Sequence, residues 1–449
     1  MTRKARNLVA PAYLLLCIVL GGSVQGAWSN FSLQLLGLVV LVWTGVRPRK
    51  SGGFTHFPLI LLVAALLIVG AQLIPLPPAL WTKLPGRTSV AEGYELLRMP
   101  LPWLPISEAP YESVSTLFAL IPPLAMLAAV GAADSHRRLA GSLLGATAVA
   151  ILVSALQVAS GSVSSWYFYP ITNSGAVGFF ANSNHMGTLL LTAIPFVAAF
   201  LLSGKSQRRL RGKSAAVITI GGVAIALILL GVALNRSLAA LLLVVPVLLA
   251  TALMIPAGWR FRRFGVPVAV LGVAAAVAAL SVNPLNSNGA SQAKQVSVQS
   301  RQVIWHTTGA AIADSFPIGT GLGTFAQVYP LYENPEGVDS TYVNHAHNDY
   351  LELALELGLL AIVLIVLFFG WWGRRLVQIW SSNLSSPFER AATIASAAML
   401  AHSAVDYPLR TSAMAAVFAM CIAIIAGFRS RESVLAPAGS TGVRHVTIG

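Results

Sequence analysis

The sequence predicts an all-α integral membrane protein, and three observations support this fold class. Apolar residues make up 56% of the 449 residues, whereas charged residues make up only 10%. The mean hydropathy of +0.74 lies well above that of soluble globular proteins. Apolar runs of roughly 17–22 residues, long enough to cross the hydrocarbon core of a bilayer, recur about twelve times. We therefore expect one polytopic membrane domain over residues 1–449, with about twelve transmembrane helices.

The first apolar run follows basic residues, as it does in a signal peptide. No A-x-A cleavage site comes after it, so we take this run as an uncleaved first span. Cys17 and Cys421 both fall inside predicted spans, so neither a disulfide framework nor a cysteine-based metal site is expected. The spans are predicted near residues 8–24, 31–46, 58–74, 113–131, 139–159, 183–203, 214–234, 238–257, 264–282, 351–371, 391–406 and 411–428.

The excess of basic residues predicts how the chain is oriented in the membrane. The formal net charge is +14, from 29 basic and 15 acidic residues. If the N-terminus is cytoplasmic and the spans alternate, most basic residues fall in cytoplasmic segments, which is the positive-inside pattern. Both termini are then cytoplasmic, and the basic charge contacts anionic membrane lipids rather than nucleic acid. The basic residues left on the outer side are Lys83, Arg87, Arg98, Arg236, Lys294, Arg301 and Arg410.

Two long outer segments interrupt the series of spans. Residues 75–112 hold many prolines, which exclude one long helix, while Trp81 and Trp103 favour an interfacial loop at the membrane surface. The larger segment, residues 283–350, is predicted to begin as a flexible loop over 283–294 and to form a short surface helix over 299–314. The run Gly319-Thr-Gly321-Leu-Gly323 follows without a preceding buried strand. We interpret it as a tight backbone passage rather than a nucleotide loop.

The most polar stretch of the chain closes this larger segment. Asn344-His345-Ala-His347-Asn348-Asp349 runs into a span predicted to begin near residue 351. A histidine at the mouth of a membrane helix can exchange protons with water while it borders a low-dielectric interior. The stretch therefore indicates a reaction centre within the segment 283–350.

Glu352 and Glu356 lie just inside the following helix, four residues apart and so on one face. Two interpretations remain open for them. They either stabilise the N-terminus of the helix, or they pair with Arg301 or Arg236 and orient it.

The two histidines of this stretch also allow a metal site. Histidine and carboxylate are good ligands, so His345-x-His347-x-Asp349 is an alternative reading. Residues two apart project together only in an extended chain, and no distant third ligand is evident. His345 on its own is also compatible with an ordinary loop residue.

Several polar residues from distant parts of the sequence fall on the same predicted outer face. Asn182 caps the following span or lines a cavity. Arg236 anchors lipid phosphate, pairs with a carboxylate of an outer loop, or binds substrate. An Asp406–Arg410 pair is predicted to be structural. Arginines bind phosphate oxygens in forked geometry, and a histidine can take a proton from a hydroxyl, so this face suits a diphosphate substrate and a general base. The residues on this face are Asn182, His185, Arg236, Arg301, His347, Asp349, Asp406 and Arg410.

His347-Asn348, followed nine residues later by Gly358-Leu-Leu-Ala361, resembles the H-N-x9-G-x-x-G element of the O-antigen ligase/polymerase superfamily. Ala361 stands where the family has its second glycine, and we expect this difference to affect helix packing more than chemistry. The resemblance covers most of the chain from 178 to 410. Its other elements are Gly178-Phe-Phe-Ala-Asn182-Ser-Asn184-His185, Asn235-Arg236-Ser237, Arg301-x3-Trp305, the glycine run 319–323 and His402-Ser-x-x-Asp406-x-Pro408.

The resemblance implies a GT-C-like helical bundle in the bacterial inner membrane, with its active site on the periplasmic face. It implies an inverting glycosyltransferase, an O-antigen ligase or an O-antigen or exopolysaccharide polymerase, without metal or other cofactor. The donor would be an undecaprenyl-diphosphate-linked glycan, and the acceptor lipid A-core or a second lipid-linked glycan. His347 would be the catalytic base, and Arg236 and Arg301 would hold the diphosphate. Substrate-binding residues would be Asn182, Asn184, His185, Asn348, Asp349 and Arg410.

A secondary transporter or flippase of anionic lipid-linked glycans is the alternative function. Transporters usually place ionisable groups near the bilayer midplane. In this sequence the polar residues gather at one surface and the predicted span interiors are nearly free of charge, which favours an enzyme.

Overall fold

The computed structural model describes residues 3–24, 26–46, 57–131, 136–161, 165–169, 176–203, 206–255, 289–338 and 342–428. Within these ranges the backbone is helical, with one isolated β-bridge between Leu76 and Leu104 and no β-strand. The predicted all-α fold class is therefore confirmed. The span expected near 264–282 lies outside the described residues.

The helices follow the apolar runs of the sequence. In chain order they are α1 Arg3–Leu20, α2 Ala27–Gly45, α3 Phe57–Gln72, α4 Pro78–Trp81, α5 Thr88–Leu96, α6 Pro110–Ala119, α7 Ile121–Gly131, α8 His136–Ser160, α9 Ser183–Leu202, α10 Ser206–Asn235, α11 Leu238–Leu253, α12 Gly289–Ser315, α13 Phe325–Val328, α14 Asp349–Leu357, α15 Leu359–Ser381, α16 Pro387–His402 and α17 Ser412–Ala426. Short 3-10 helices cover Tyr329–Leu331, Pro335–Gly337 and Pro408–Arg410.

Among the described residues, five helical stretches are long and apolar enough to cross a membrane: Ala27–Gly45, Pro110–Gly131, His136–Ser160, Ser183–Leu202 and Leu359–Ser381. Five shorter apolar helices accompany them: Asn7–Leu20, Phe57–Gln72, Thr219–Asn235, Leu238–Leu253 and Ser412–Ala426. A multi-pass membrane protein is thus supported, whereas the predicted count of about twelve spans is not confirmed.

Helix α9 lies at the centre of the largest apolar core. Every side chain from His185 to Val197 is buried, and α9 packs against α8, α10, α11 and α16. Helix α17 packs on α1, α7 and α16. The facing surface of α16 carries buried alanines, such as Ala391 and Ala395, which let the helices approach closely. This core fixes the start of α9 relative to the end of α16, where the polar residues gather.

The span predicted over 351–371 is divided at Gly358 into α14 and α15. Gly358 has a φ of +58°, in the left-handed region that favours glycine. A Cβ at this position would collide with the carbonyl oxygen of Pro317, and the N–H of Leu359 donates to that oxygen at 2.9 Å. The close backbone crossing explains why one apolar run forms two helices. Ala361, just beyond it, is buried against Val69, Leu322 and Leu357, in keeping with the packing role expected for it.

The glycine run 319–323 is the tight passage that the sequence predicts. Gly319, Gly321 and Gly323 all have positive φ, and a Cβ at Gly319 would lie 2.7 Å from the carbonyl oxygen of Glu356. Gln72, at the end of α3, holds the glycine run against the end of α14 through its side-chain amide. Its Nε2 donates to the Glu356 carbonyl at 2.9 Å, and its Oε1 accepts from the N–H of Leu322 at 3.2 Å.

Helix α12 is longer than predicted. It begins at Gly289, so the expectation of a flexible loop over 283–294 is wrong from that residue onward, and the short helix 299–314 is only its second half. After Gly289 the sequence contains no further glycine or proline until Gly309. Polar side chains such as Gln and Lys propagate a helix readily, although their clustering with serine resembles a loop in sequence.

Candidate active site

Four pieces of the chain meet where the polar residues gather: the start of α9, the middle of α12, the segment leading into α14, and the connection 403–411 between α16 and α17. The side chain of Asn348 caps α14 by accepting from the N–H groups of Tyr350 and Leu351, at 3.0 and 3.2 Å. His347 precedes this cap with a φ of +48°. A left-handed histidine is uncommon, and such conformations gather at functional sites.

Asp406 is the centre of the first charged group. It is fully buried, and its Oδ1 lies 3.1 Å from Nδ1 of His347. Its Oδ2 lies 3.9 Å from Nη2 of Arg301 and accepts a hydrogen bond from Nδ2 of Asn184. We call Asp406, His347, Arg301 and Asn184 the Asp406 cluster.

The Asp406 cluster is open to solvent on one side. The side chains of His347 and Arg301 are 25% and 22% exposed, whereas that of Asp406 is 1% exposed. Because a carboxylate can only accept, Nδ1 of His347 carries the hydrogen and Nε2 is left as the basic nitrogen. The cluster therefore presents an imidazole base and a guanidinium to solvent above one buried carboxylate.

The turn between α10 and α11 is tied to this cluster. Ser237 donates to Oδ1 of Asn184 at 2.6 Å, and Asn235 donates to the carbonyl oxygen of Ser183 at 2.8 Å. Arg236 lies between these two anchored residues, exposed and with a φ of +59°. The neighbour of Arg236, Ser237, is therefore hydrogen-bonded to Asn184, which in turn contacts Asp406.

Arg410 is the centre of a second charged group. Its two terminal nitrogens bind Glu356 in forked geometry, Nη1 to Oε1 at 3.1 Å and Nη2 to Oε2 at 2.9 Å. Arg410 also lies 3.5 Å from Glu352 and 3.7 Å from Asp349. All three carboxylates belong to α14 and are buried. We call Arg410, Asp349, Glu352 and Glu356 the Arg410 cluster.

These contacts correct two expectations. The predicted Asp406–Arg410 pair is wrong, because Asp406 binds His347 and Arg301 while Arg410 binds the carboxylates of α14. Glu352 and Glu356 share one face as predicted, but in the described contacts their arginine is Arg410. The 3-10 turn Pro408–Arg410 ends at the arginine, whose side chain binds Glu356 of α14 instead of Asp406.

Burial and neighbouring charges set the acidity of the carboxyl groups in opposite directions. Burial alone raises the pKa of Asp406, but the hydrogen bond from His347 and the electrostatic influence of the neighbouring histidines hold that pKa below its ordinary value. Burial also opposes ionisation of Glu352, yet Arg410 and His345 lower its pKa to about 2. For Asp349 burial dominates and raises the pKa to about 7, although Arg410 acts against it.

The ring of Tyr407 lies between the two clusters and contacts three histidines. Its centroid is 4.2 Å from that of His345, 5.0 Å from that of His347 and 5.0 Å from that of His185. Its hydroxyl is within hydrogen-bonding reach of Asn182 and Asn344. Nothing in the sequence singles out this tyrosine, since its only distinction there is its position beside Asp406.

The remaining predicted site residues lie around this centre. Asn182 caps α9 by accepting from the N–H of Asn184 at 2.8 Å, as the capping alternative predicts. His185 is 2% exposed beneath Tyr407, so it contacts the site from inside the protein. Asn348 and Asp349 are engaged in the cap of α14 and in the Arg410 cluster respectively.

The metal alternative finds no support in the arrangement of side chains. Within the described ranges, no three His, Cys, Asp or Glu side chains form a group suited to a metal ion. His345 and His347 point to different carboxylates: Nδ1 of His345 lies 2.8 Å from Glu352, while His347 binds Asp406.

Comparison with known proteins identifies one family. A family model described as O-Antigen ligase matches residues 223–366, a region that includes Arg236, Arg301, His347 and the break at Gly358. A search of curated proteins finds no match.

Proposed function

We propose that this chain, of which residues 223–366 match the O-Antigen ligase family model, is an inverting glycosyltransferase of the periplasmic face and a member of the O-antigen ligase/polymerase superfamily. It transfers a glycan from undecaprenyl diphosphate to a sugar hydroxyl. The acceptor is lipid A-core in a ligase or a second lipid-linked glycan in a polymerase. The protein uses no metal or other cofactor in this proposal.

The observation that carries the proposal is the carboxylate shared by His347 and Arg301. Asp406 accepts from Nδ1 of His347 at 3.1 Å and lies 3.9 Å from Arg301. One buried group therefore orients both a base and a cation toward solvent. A diphosphate donor and a hydroxyl acceptor require this combination at a single reacting carbon.

The proposed reaction uses His347 and Asp406 as follows. Nε2 of His347 accepts the proton of the acceptor hydroxyl, while the hydroxyl oxygen forms a bond to the anomeric carbon. The bond from that carbon to the diphosphate oxygen breaks, and its electron pair leaves with the diphosphate. Attack from the face opposite the leaving group inverts the configuration. Asp406 stabilises the imidazolium that forms, as a carboxylate does behind a catalytic histidine.

Arg301 and Arg236 stabilise the departing diphosphate. A guanidinium binds phosphate oxygens in forked geometry, and its charge gains strength where water is partly excluded. Arg301 is 22% exposed, so it can reach a ligand without leaving Asp406. Arg236 is on an anchored turn, which fixes the point from which its long side chain extends.

The Arg410 cluster positions these groups. Arg410 joins the connection 403–411 to α14, and the N–H of Asp349 donates to the carbonyl oxygen of Ser403 at 2.9 Å. These contacts hold the residues that follow His347 against those that precede Asp406. We therefore assign Asn348, Asp349 and Arg410 to holding the site, and Asn184 to orienting Asp406.

The test uses the full chain in nanodiscs with an undecaprenyl-diphosphate oligosaccharide, with and without lipid A-core. Products are followed by gel shift and mass spectrometry. His347→Ala and Arg301→Ala are compared with His306→Gln, an exposed histidine on the same helix as Arg301, and with Lys83→Ala, an exposed cation. An EDTA arm tests metal dependence.

The outcomes separate the candidate activities. Transfer only to lipid A-core identifies a ligase, and a ladder without it identifies a polymerase. We expect both site variants to lose at least about a hundredfold in rate, because each removes a group that acts in the transition state. Transfer by His347→Ala at the wild-type rate contradicts the assignment of the base. If the protein in proteoliposomes moves the lipid-linked substrate across the membrane but transfers no glycan, it is a transporter instead.

A further inference from the structure

A surface groove lies on the second half of α15, away from the candidate active site. Helix α15 is long and apolar enough to cross a membrane. Arg374 follows Gly358 by sixteen residues, which is about 24 Å along an α-helix. The groove therefore lies toward the membrane surface opposite the site. It is lined by Phe57 at the start of α3 and, on α15, by Leu367, Gly370, Trp371, Arg374 and Arg375.

The lining of this groove changes from apolar to cationic along the helix. Leu367, Trp371 and Arg374 follow one another at intervals of four and three residues, so they share one face of α15. Gly370 has no side chain, and a Cβ built there meets no atom within 4 Å, so protein atoms leave the groove open at this level. An apolar trough that ends at two guanidinium groups has the same order of chemistry as a phospholipid, in which an acyl chain leads to a phosphate.

Arg375 is a fixed cation in the wall of the groove. It is 6% exposed, and its Nη2 donates to the carbonyl oxygens of Ile425 and Phe428 at 2.8 and 2.6 Å. Its Nη1 donates to Oε1 of Gln378 at 2.9 Å. The carbonyl groups belong to the C-terminal end of α17, where a cation is favourable. These acceptors hold the side chain in place, but each of them is neutral, so they supply no full negative charge.

The groove offers positive charge and hydrogen-bond donors without an acidic residue in its lining. Arg374 is exposed, and the described residues give it neither a hydrogen bond nor an ion pair. Glu389 acts electrostatically on Arg375, but its carboxylate accepts from the N–H of Ser386 in the cap of α16. The Nε1–H of Trp371 is buried and meets no acceptor in the described part of the chain. A ligand with anionic oxygens complements this set of groups.

We propose that this groove binds one anionic phospholipid in the leaflet opposite the candidate active site. An acyl chain lies along Leu367 and Gly370, and the phosphate accepts hydrogen bonds from Arg374 beside the fixed charge of Arg375. The groove lies where α15 packs against α3 and α17, so the bound lipid joins these helices and stabilises the folded protein. The charge pattern of the sequence predicts a general attraction to anionic lipids, whereas this groove is a defined site for one of them. The inference does not depend on the proposed transferase function.

The test titrates the full chain in detergent with phosphatidylglycerol, which is anionic, or with phosphatidylcholine of the same acyl chains, which is zwitterionic. Native mass spectrometry separates lipid-bound from lipid-free protein and gives an affinity for each lipid. We expect phosphatidylglycerol to bind about tenfold more tightly, because each arginine near an anionic headgroup contributes about fivefold. Phosphatidylglycerol should also raise the melting temperature more than phosphatidylcholine does at equal concentration.

Three variants make the result specific. Arg374→Gln should lose about fivefold in affinity for phosphatidylglycerol and little for phosphatidylcholine, because it removes one cation from the groove. Gly370→Leu should weaken binding of both lipids, because its side chain occupies the place of the acyl chain. Arg138→Gln changes an exposed arginine on α8 that does not line the groove, so it should bind both lipids as wild type does. Thermal melting of each variant without added lipid confirms that it is folded.

Three results would overturn the inference. Equal affinity of the wild type for the two lipids would show that the groove does not select an anionic headgroup. An equal loss of phosphatidylglycerol affinity in Arg138→Gln and Arg374→Gln would show a general response to positive charge instead of a site. Wild-type affinity in Gly370→Leu would show that the headgroup is held at the surface without an acyl chain in the groove.

Discussion

The Asp406 cluster and the Arg410 cluster are neighbours built from similar side chains, yet they differ in access to water. In the Asp406 cluster the buried member is the carboxylate, and its cation and imidazole are 22% and 25% exposed. In the Arg410 cluster the arginine is 14% exposed and its carboxylates are 0 to 6% exposed. The first cluster keeps its donors available for a ligand. In the second cluster the charged groups pair with one another, and these pairs join α14 to the connection 403–411.

A structural ion pair and a reactive one therefore differ in which partner reaches solvent. Removing a member of the open cluster should change rate more than stability. Removing a member of the closed cluster should change stability first.

Asp406→Asn is expected to have the largest effect on activity. The amide can donate to Nδ1 of His347, which favours the wrong tautomer and removes the charge that stabilises the imidazolium. We expect kcat to fall by about 10²- to 10⁴-fold with a small change in melting temperature. Initial rates of glycan transfer and thermal melting in nanodiscs measure the two quantities. A variant that melts far below wild type would assign Asp406 to stability instead.

Arg410→Gln is expected to have the largest effect on stability. It leaves the buried Glu352 and Glu356 without their cation, and breaking a buried pair in this way costs about 3–5 kcal/mol. Burial opposes the charge of Arg410, but the three carboxylates raise its pKa above its ordinary value, so it is charged at any working pH. Thermal melting measures the loss, with Lys83→Ala as the control. Normal melting combined with lost activity would contradict the division.

Gly358→Ala should destabilise the junction between α14 and α15, next to the carboxylates of the Arg410 cluster. The substitution adds a Cβ at a φ of +58° against the Pro317 carbonyl oxygen, and a strained position of this kind costs about 1–3 kcal/mol. Gly370→Ala on α15 is the matched control, because a Cβ there meets no atom within 4 Å. We expect the control to melt at or slightly above the wild-type temperature. Equal melting of both variants would show that the crossing carries no strain.

Asp349→Asn should change the stability by an amount that depends on pH. The folded pKa of about 7 exceeds the ordinary value of about 3.9, so the folded state holds a proton that the unfolded state has lost between these values. Stability from this group is therefore present at low pH and is lost as pH rises toward 7. Asparagine removes this loss. We expect the variant to gain about 1–3 kcal/mol over wild type at pH 8 and little at pH 5, measured by melting at both values.

Much of the fold could be predicted from the sequence because apolar runs determine where membrane helices form. The division at Gly358 could not, since it depends on the backbone of Pro317 passing within hydrogen-bonding distance of Leu359. The early start of α12 at Gly289 was hidden for a different reason. Polar residues without a glycine or proline are compatible with either a loop or a helix.

The sequence predicted which residues belong to the candidate site better than it predicted which of them form pairs. The sequence singled out His347 and Arg301, which the structure brings to one carboxylate, but it assigned that carboxylate to Arg410. Proximity in sequence favoured the wrong pair, because Asp406 and Arg410 are four residues apart. The observed partners of Asp406, His347 and Arg301, are distant from it in the chain. Such pairings are set by helix packing, which leaves no local signal.

The two hydrogen bonds of the Gln72 amide restrict which residues can replace it. Most residues of α3, the helix that ends at Gln72, are apolar and at least partly exposed, so side chains of similar hydropathy can replace many of them. Gln72 is different, because one amide holds both the carbonyl of Glu356 and the N–H of Leu322. Only a side chain with a donor and an acceptor at the same reach can do both. In a set of related chains, this position should stay fixed while the helix around it drifts.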